Sequence, residues 1–194
     1  MRVVRRGSLH QALVGGQFAG FQCTMIALFA LGVAFLRGLD WTGLDINNII
    51  FSGTDLYAEY IYREGSMPKY LTHDEVGSFS SFHVQPYPEE TTVTELHHTV
   101  HDSIYFGVVA THVNDAIPGS NFIEAVQSAI FVSDFFLCTF GQFTVAVIHS
   151  SGSYFVFDSH SRNDTGLPDS FHPAALLHFE NLSDLDHYVH QAYN

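Results

Sequence analysis

Apolar positions fall along the chain in two kinds of block. The first is long and unbroken. Thr24 to Leu36 is a run of thirteen uncharged residues ending at Arg37, and it predicts a helix over 23–37 that is apolar nearly all round and buried at the centre of a domain. Gly38 is placed to end it. The second kind is short and rich in aromatic and β-branched residues. Segments 135–140, 143–149, 154–158 and 174–180 read as strands, the first three joined by the hairpin-like connections Gly141-Gln142 and Ser150-Ser151-Gly152-Ser153. Between these blocks the pattern is weaker. Arg2-Val3-Val4 fits an edge strand and 11–22 a loop, followed later by a turn at Asp40-Trp41-Thr42-Gly43. Leu44, Ile46, Ile49 and Ile50 predict a short helix, and Thr54 a cap for another carrying Leu56, Tyr57, Tyr60 and Ile61. Pro68, Pro86 and Pro88 mark 65–90 as an irregular excursion with one short helix at 72–76. Segment 91–100 fits strand or helix equally, and 103–110 reads as a strand. Ser120 is placed to cap a helix over 121–131 with Glu124 near the capping-box position, and Ser183 a last helix over 184–193. Helices followed by a mostly antiparallel sheet predict an α+β fold in two layers, and residues 1–194 read as one domain. Whether it is freestanding or excised from a longer protein is left open.

Composition narrows the classes. The apolar fraction of 46% with 14% aromatic residues supports a sizeable core, and 20 acidic against 7 basic residues give a formal charge of −13. Nucleic-acid binding depends on Lys and Arg neutralising phosphates, so no nucleic-acid partner is expected. An acidic surface fits a basic partner or simple solubility. The apolar run is shorter than the roughly 20 residues a bilayer span needs, and it begins too late for a signal peptide, so no membrane association is expected. Cys23 and Cys138 are the two cysteines. Two are no disulfide framework in a chain of this length, which points to a reducing, intracellular compartment. A monomer is expected.

The chemistry-bearing residues lie far apart in sequence. Asp158 and His160 are two apart at the end of a strand and share a face. A carboxylate beside an imidazole fixes its tautomer and stabilises the imidazolium, which a general base requires. Cys23 follows the turn-prone Val14-Gly15-Gly16-Gln17-Phe18-Ala19-Gly20 and opens the long apolar helix, where the dipole favours thiolate. Together they fit a cysteine hydrolase, with the thiolate on a helix and the imidazole on the facing sheet, as papain-like folds place them. Cys138, inside an apolar strand, reads as an inert buried thiol. His97, His98, His101 and Asp102 cluster, but their spacing matches no zinc pattern and lacks His-Glu-x-x-His, so neither a metal nor a cofactor is expected. Arg162 and Asn163 fit either a substrate contact or a turn cap, and the turn is the preferred reading.

Leu9-His10-Gln11, then Gly20-Phe21-Gln22-Cys23, then Phe157-Asp158-Ser159-His160-Ser161-Arg162 resemble the herpesvirus tegument deubiquitinases and their tegument-like relatives. Gly16-Gln17-Phe18-Ala19-Gly20 is similar to the viral wording of the first motif, while Asp-Ser-His-Ser-Arg is closer to the non-viral relatives. In the middle of the chain Ser52-Gly53-Thr54-Asp55-Leu56-Tyr57 also matches. The resemblance implies a papain-like, ubiquitin-specific cysteine protease. Cys23 would be its nucleophile, His160 the general base, Asp158 the orienting acid and Gln11 the oxyanion donor, with ubiquitin or polyubiquitin as partner. The relatives often carry Gly after that glutamine where this chain has Ala12, and Gln17, nearer the cysteine, is the rival donor. The other classes in view are a papain-like peptidase or acyltransferase on a different target, and an inactive ubiquitin-binding module.

Overall fold

The computed structural model describes residues 1–71, 75, 81–84, 94–97, 107–108 and 120–193, with 81–84, 94–97, 107–108 and 120 described by backbone alone. Its frame is a five-stranded antiparallel sheet in the order β1-β9-β8-β7-β6. The strands are β1 (Arg2–Arg6), β6 (Phe135–Phe140), β7 (Phe143–Ser150), β8 (Ser153–Asp158) and β9 (Ala175–Phe179). Two small pairs lie apart from it: β2 (Ser81–Val84) with β3 (Thr94–His97), antiparallel, and β4 (Gly107–Val108) with β5 (Ser120–Asn121), parallel. The helices are α1 (Cys23–Arg37), α2 (Gly43–Glu64), α3 (Phe122–Val132) and α4 (Leu182–Tyr193).

The late strands form where their apolar runs predict them, and the basic start is the edge strand β1, paired with β9. Phe140 pairs with Phe143 around Gly141-Gln142. Ser150 pairs with Ser153 around Ser151 and Gly152, both at positive φ (53° and 76°), the backbone that a tight two-residue hairpin turn requires.

The sheet is covered on both faces, which corrects the two-layer expectation. Ala146, Ile148, Phe157 and Leu176 pack with α1 and α2. Their alternates Val145, Val147, Val156, Ala175 and Leu177 pack with Phe122 and Val126 of α3 and Leu185, Tyr188 and Val189 of α4. A strand buried on both faces needs a continuous apolar run, not an alternating one, and Val145-Ala146-Val147-Ile148 is such a run.

Other boundaries also move. The two helices expected from Leu44 to Ile61 are one, α2, capped by Thr42 in a reciprocal box with Asp45; Thr54 is buried inside it and caps nothing. Asn121 caps α3 in place of Ser120, with Glu124 completing the box, and Asn181 caps α4 in place of Ser183. Segment 11–22 holds two short 3₁₀ turns, Gln11–Leu13 and Gly16–Phe18. The undecided 91–100 contains strand β3. The expected helix at 72–76, apart from Glu75, and most of 103–110 lie outside the described residues.

Helix α1 is caught between α2 and β7. Among the described residues no helix is long and apolar enough to cross a membrane. The α1–α2 approach is closest at Gly53, where a Cβ would come within 2.4 Å of the Ile26 Cα and 3.0 Å of its backbone nitrogen. Ile26 lies in the first turn of α1, three residues after Cys23. Gly53→Ala gains helix propensity but must push two backbones apart. A net loss of about 2 kcal/mol, within the range for overpacked cores, is expected in denaturant unfolding; unchanged stability would show that the helices part freely.

Candidate active site

The site lies at one end of the sheet, where α1, β8 and the first residues of the chain converge. Cys23 is the first residue of α1 and 1% exposed. Asp158 is the last residue of β8 and wholly buried. Because side chains alternate, Phe157 joins the α1 face while Asp158 turns to the α4 face. His160, two residues beyond, bridges the two. Its Nδ1 donates to Asp158 Oδ1 at 2.6 Å, and its backbone N–H donates to the same oxygen at 2.9 Å. With Nδ1 so engaged, Nε2 is the ring nitrogen left to interact with the Cys23 thiol.

The charges follow from this placement. Burial alone would push the Cys23 thiol up, but the hydrogen bond and charge of His160, the Thr144 backbone N–H and the Thr24 hydroxyl bring it below its ordinary value. Burial would lower His160, yet the charge and hydrogen bond of Asp158, together with Cys23, raise it to about 9. The thiolate–imidazolium pair is therefore favoured at neutral pH, and the imidazolium proton is lost as pH rises through about 9. Asp158 is pushed up by burial and pulled well below the usual carboxylate range by the charges of Arg162 and His160 and by donated hydrogen bonds. The Cys23 thiol also reaches the Gln142 carbonyl oxygen at 3.5 Å, at the tip of the β6–β7 hairpin. Thr24 Oγ1 donates to Thr144 Oγ1 at 3.1 Å, tying the helix start to β7.

Gln11 arrives by backbone pairing of the first residues along the sheet end. Gly7 N–H donates to Ala174, Ala174 N–H to Leu9, and Gln11 N–H to the Ser159 carbonyl at 2.9 Å. Its side chain is 3% exposed, and its Oε1 accepts from Ser159 Oγ at 3.0 Å. That holds the amide in place with no acceptor for its Nε2 among the described residues. Gln17 is exposed in the second 3₁₀ turn. Gln22, at the N-cap of α1, is buried and points away from the thiol; its Nε2 donates to the carbonyls of Gln11 and Val14 at 3.0 and 2.9 Å. It fastens the loop to the helix.

Above His160 opens a cleft of about 430 Å³ lined by residues including His10, Gln11, Ala12, Phe143 and Asp169. Phe143 meets the imidazole edge-on, centroids 4.9 Å apart. The structure thus brings Cys23, His160, Asp158 and Gln11 to one place. Cys138 stands apart on β6; part of the residue reaches solvent, but its sulfur lies in apolar surroundings that push the thiol up to about 12. His98, His101 and Asp102 lie outside the described residues, as does the His97 side chain. Among the described residues no group of three or more metal-ligating side chains occurs.

Two residues at the site go beyond the sequence reading. Arg162 is not a turn residue. It is 2% exposed, and its Nε and Nη2 donate to Asp158 Oδ2 at 2.6 and 2.5 Å. Tyr193 donates its hydroxyl to the same oxygen. Asn163 does hold the turn, accepting from Thr165 and Leu167.

Residues 6–194 match the sequence model of the herpesvirus tegument protein, N-terminal conserved region. The chain belongs to that family. Among solved structures, it is similar to the ubiquitin-specific protease encoded by murine cytomegalovirus tegument protein M48, determined in complex with a ubiquitin-based suicide substrate. The TM-score is 0.70 at 20% identity, over 95% of this chain and 76% of that one. That likeness shows the fold, the papain-like α+β class expected for this tegument-family chain. No curated protein sequence matches the chain.

Proposed function

We propose that this tegument-family chain is a deubiquitinating cysteine protease that hydrolyses the peptide or isopeptide bond after the C-terminal glycine of ubiquitin. The observation that carries the reading is the buried relay from Asp158 Oδ1 through the His160 imidazole to Cys23 at a helix N-terminus. The Cys23 thiolate attacks the glycine carbonyl carbon. The oxyanion that forms is held by Gln11 Nε2 and the Cys23 backbone N–H. The tetrahedral intermediate collapses, the C–N bond breaks, and the imidazolium of His160 gives its proton to the leaving lysine amine. His160 then takes a proton from water as that water attacks the thioester, and Cys23 is released. Phe143 walls the approach beside the imidazole, which fits a substrate tail of glycines.

A ubiquitin probe with a C-terminal electrophile tests the reading. A covalent adduct at Cys23 is expected. A Cys23 that alkylates with a small reagent but never with the probe would assign the site to another acyl substrate.

The two glutamines separate the oxyanion assignment. Gln11→Ala is expected to lower kcat by about 10²–10³ with KM little changed, since the donor acts on charge present only in the transition state. Gln17→Ala, altering an exposed side chain, is expected to stay within a few-fold of the parent. Steady-state kinetics on both variants decide it; a crippled Gln17→Ala would reverse the assignment.

A further inference from the structure

Asp158 is used on both sides. Oδ1 faces His160, and Oδ2 is taken by the Arg162 guanidinium and the Tyr193 hydroxyl. A carboxylate this buried is costly unless it is paired and hydrogen-bonded, and a second oxygen left open would let the carboxylate rotate away from the imidazole. Arg162 is itself held. Its guanidinium carbon lies 5.0 Å from the centroid of the Tyr193 ring, which stacks on Phe140 at 4.6 Å. Its carbonyl accepts from Arg6 of β1. From this geometry we infer that Arg162 and Tyr193 are positioning residues for the reaction: they occupy the outer oxygen of Asp158, keep the carboxylate charged in a dry setting, and fix Oδ1 on His160. The inference rests on the catalytic reading of Cys23 and His160 given above.

The charge arithmetic makes it testable. Thiolate, imidazolium, carboxylate and guanidinium sum to zero, and removing the guanidinium leaves the set one unit negative. The groups facing this set are His10 from the first segment beside His160, Tyr57 of α2 on the Cys23 side, Tyr188 and Tyr193 of α4 beside Arg162, and Arg6 of β1 at the Arg162 carbonyl. Arg6 is already taken up by the Arg162 and Asn163 carbonyls and by Asp164, and none of the others would be a cation at neutral pH to replace Arg162, because burial and the His160 charge lower His10. Loss of a positive charge disfavours thiolate and favours imidazolium, so both titrations move to higher pH.

The experiment is the pH dependence of Cys23 alkylation by iodoacetamide in a Cys138→Ala background, which needs no ubiquitin. The parent is expected to react with a midpoint below the ordinary thiol range. Arg162→Gln should move that midpoint up by about one pH unit, and Arg162→Lys, which keeps the charge, should restore most of it. Tyr193→Phe keeps the ring that carries Arg162 and removes one donor. It should shift the midpoint the same way by less, and lower kcat about tenfold with KM unchanged. If Arg162→Gln fails to fold, Tyr193→Phe decides alone. A depressed parent midpoint that folded variants leave in place would overturn the inference while sparing the catalytic reading. A parent midpoint in the ordinary thiol range would sink the Cys23–His160 pair and the inference with it.

Discussion

Cys23→Ala is expected to abolish cleavage of a ubiquitin-linked fluorophore, a fall on the order of 10⁶-fold in kcat, the scale on which loss of a hydrolase nucleophile registers. Binding of ubiquitin should persist, because the change removes one sulfur from a site already enclosed. Cys138→Ala should leave turnover within a few-fold. The contrast is physical. Both sulfurs are removed from water, but one has an imidazole, a backbone N–H and a hydroxyl to stabilise its anion, whereas the other has only apolar surroundings that raise it to about 12. Kinetics on the two variants, with circular dichroism to verify folding, tests the pair. An essential Cys138 beside a dispensable Cys23 would move the site to the other side of the sheet.

Asp158→Asn is expected to cost about 10⁴-fold in kcat, the scale of a wrong-tautomer defect. Every group around the carboxylate is a donor: His160 Nδ1 and N on one oxygen, Arg162 and Tyr193 on the other. An asparagine NH₂ therefore meets donors wherever it turns. If its oxygen stays with Arg162, its nitrogen faces Nδ1, which must then accept, and the ring proton moves to Nε2. That nitrogen can no longer take the thiol proton. Arg162 would also lose its counter-charge, a loss that costs about 3–5 kcal/mol for a buried pair broken on one side. Reduced thermal stability should accompany the kinetic loss. Turnover near the parent level, or a loss confined to KM, would remove Asp158 from the orienting role.

Much of this was legible in the sequence. Phe135 to Phe140 and Tyr154 to Asp158 announce strands by composition, and the unbroken run after Cys23 marks a buried helix. The Asp-x-His spacing at a strand end places two side chains together. What escaped depends on partners distant in sequence. Asn47, Asn48, Ser52 and Gly53 interrupt the apolar pattern of α2, so one helix reads as two; Gly53 is there because another backbone passes close by, which no local pattern records. The third layer was visible in the run Val145 to Ile148, apolar on both strand faces, but the run names no covering element. Arg162 lies within the quoted motif, yet a lone arginine in a polar loop carries no sign of burial. Tyr193 is 35 positions from the oxygen it binds, on a helix whose docking only the folded sheet defines.

Cys23 rides on the layer above the sheet, while the Asp158 carboxylate projects into the layer below. The distance the proton must travel is thus an output of two packing thicknesses, like a reading on a caliper whose jaws are α1 and α4. On the upper jaw the spacing is kept by small side chains, among them Ala27, Ala30 and Ala146. On the lower jaw it is kept by Val156 and Val189. A methyl group added at any of these places lies in the packed core and meets no substrate directly. Its effect would still be read at the relay, as a hydrogen bond stretched between sulfur and imidazole.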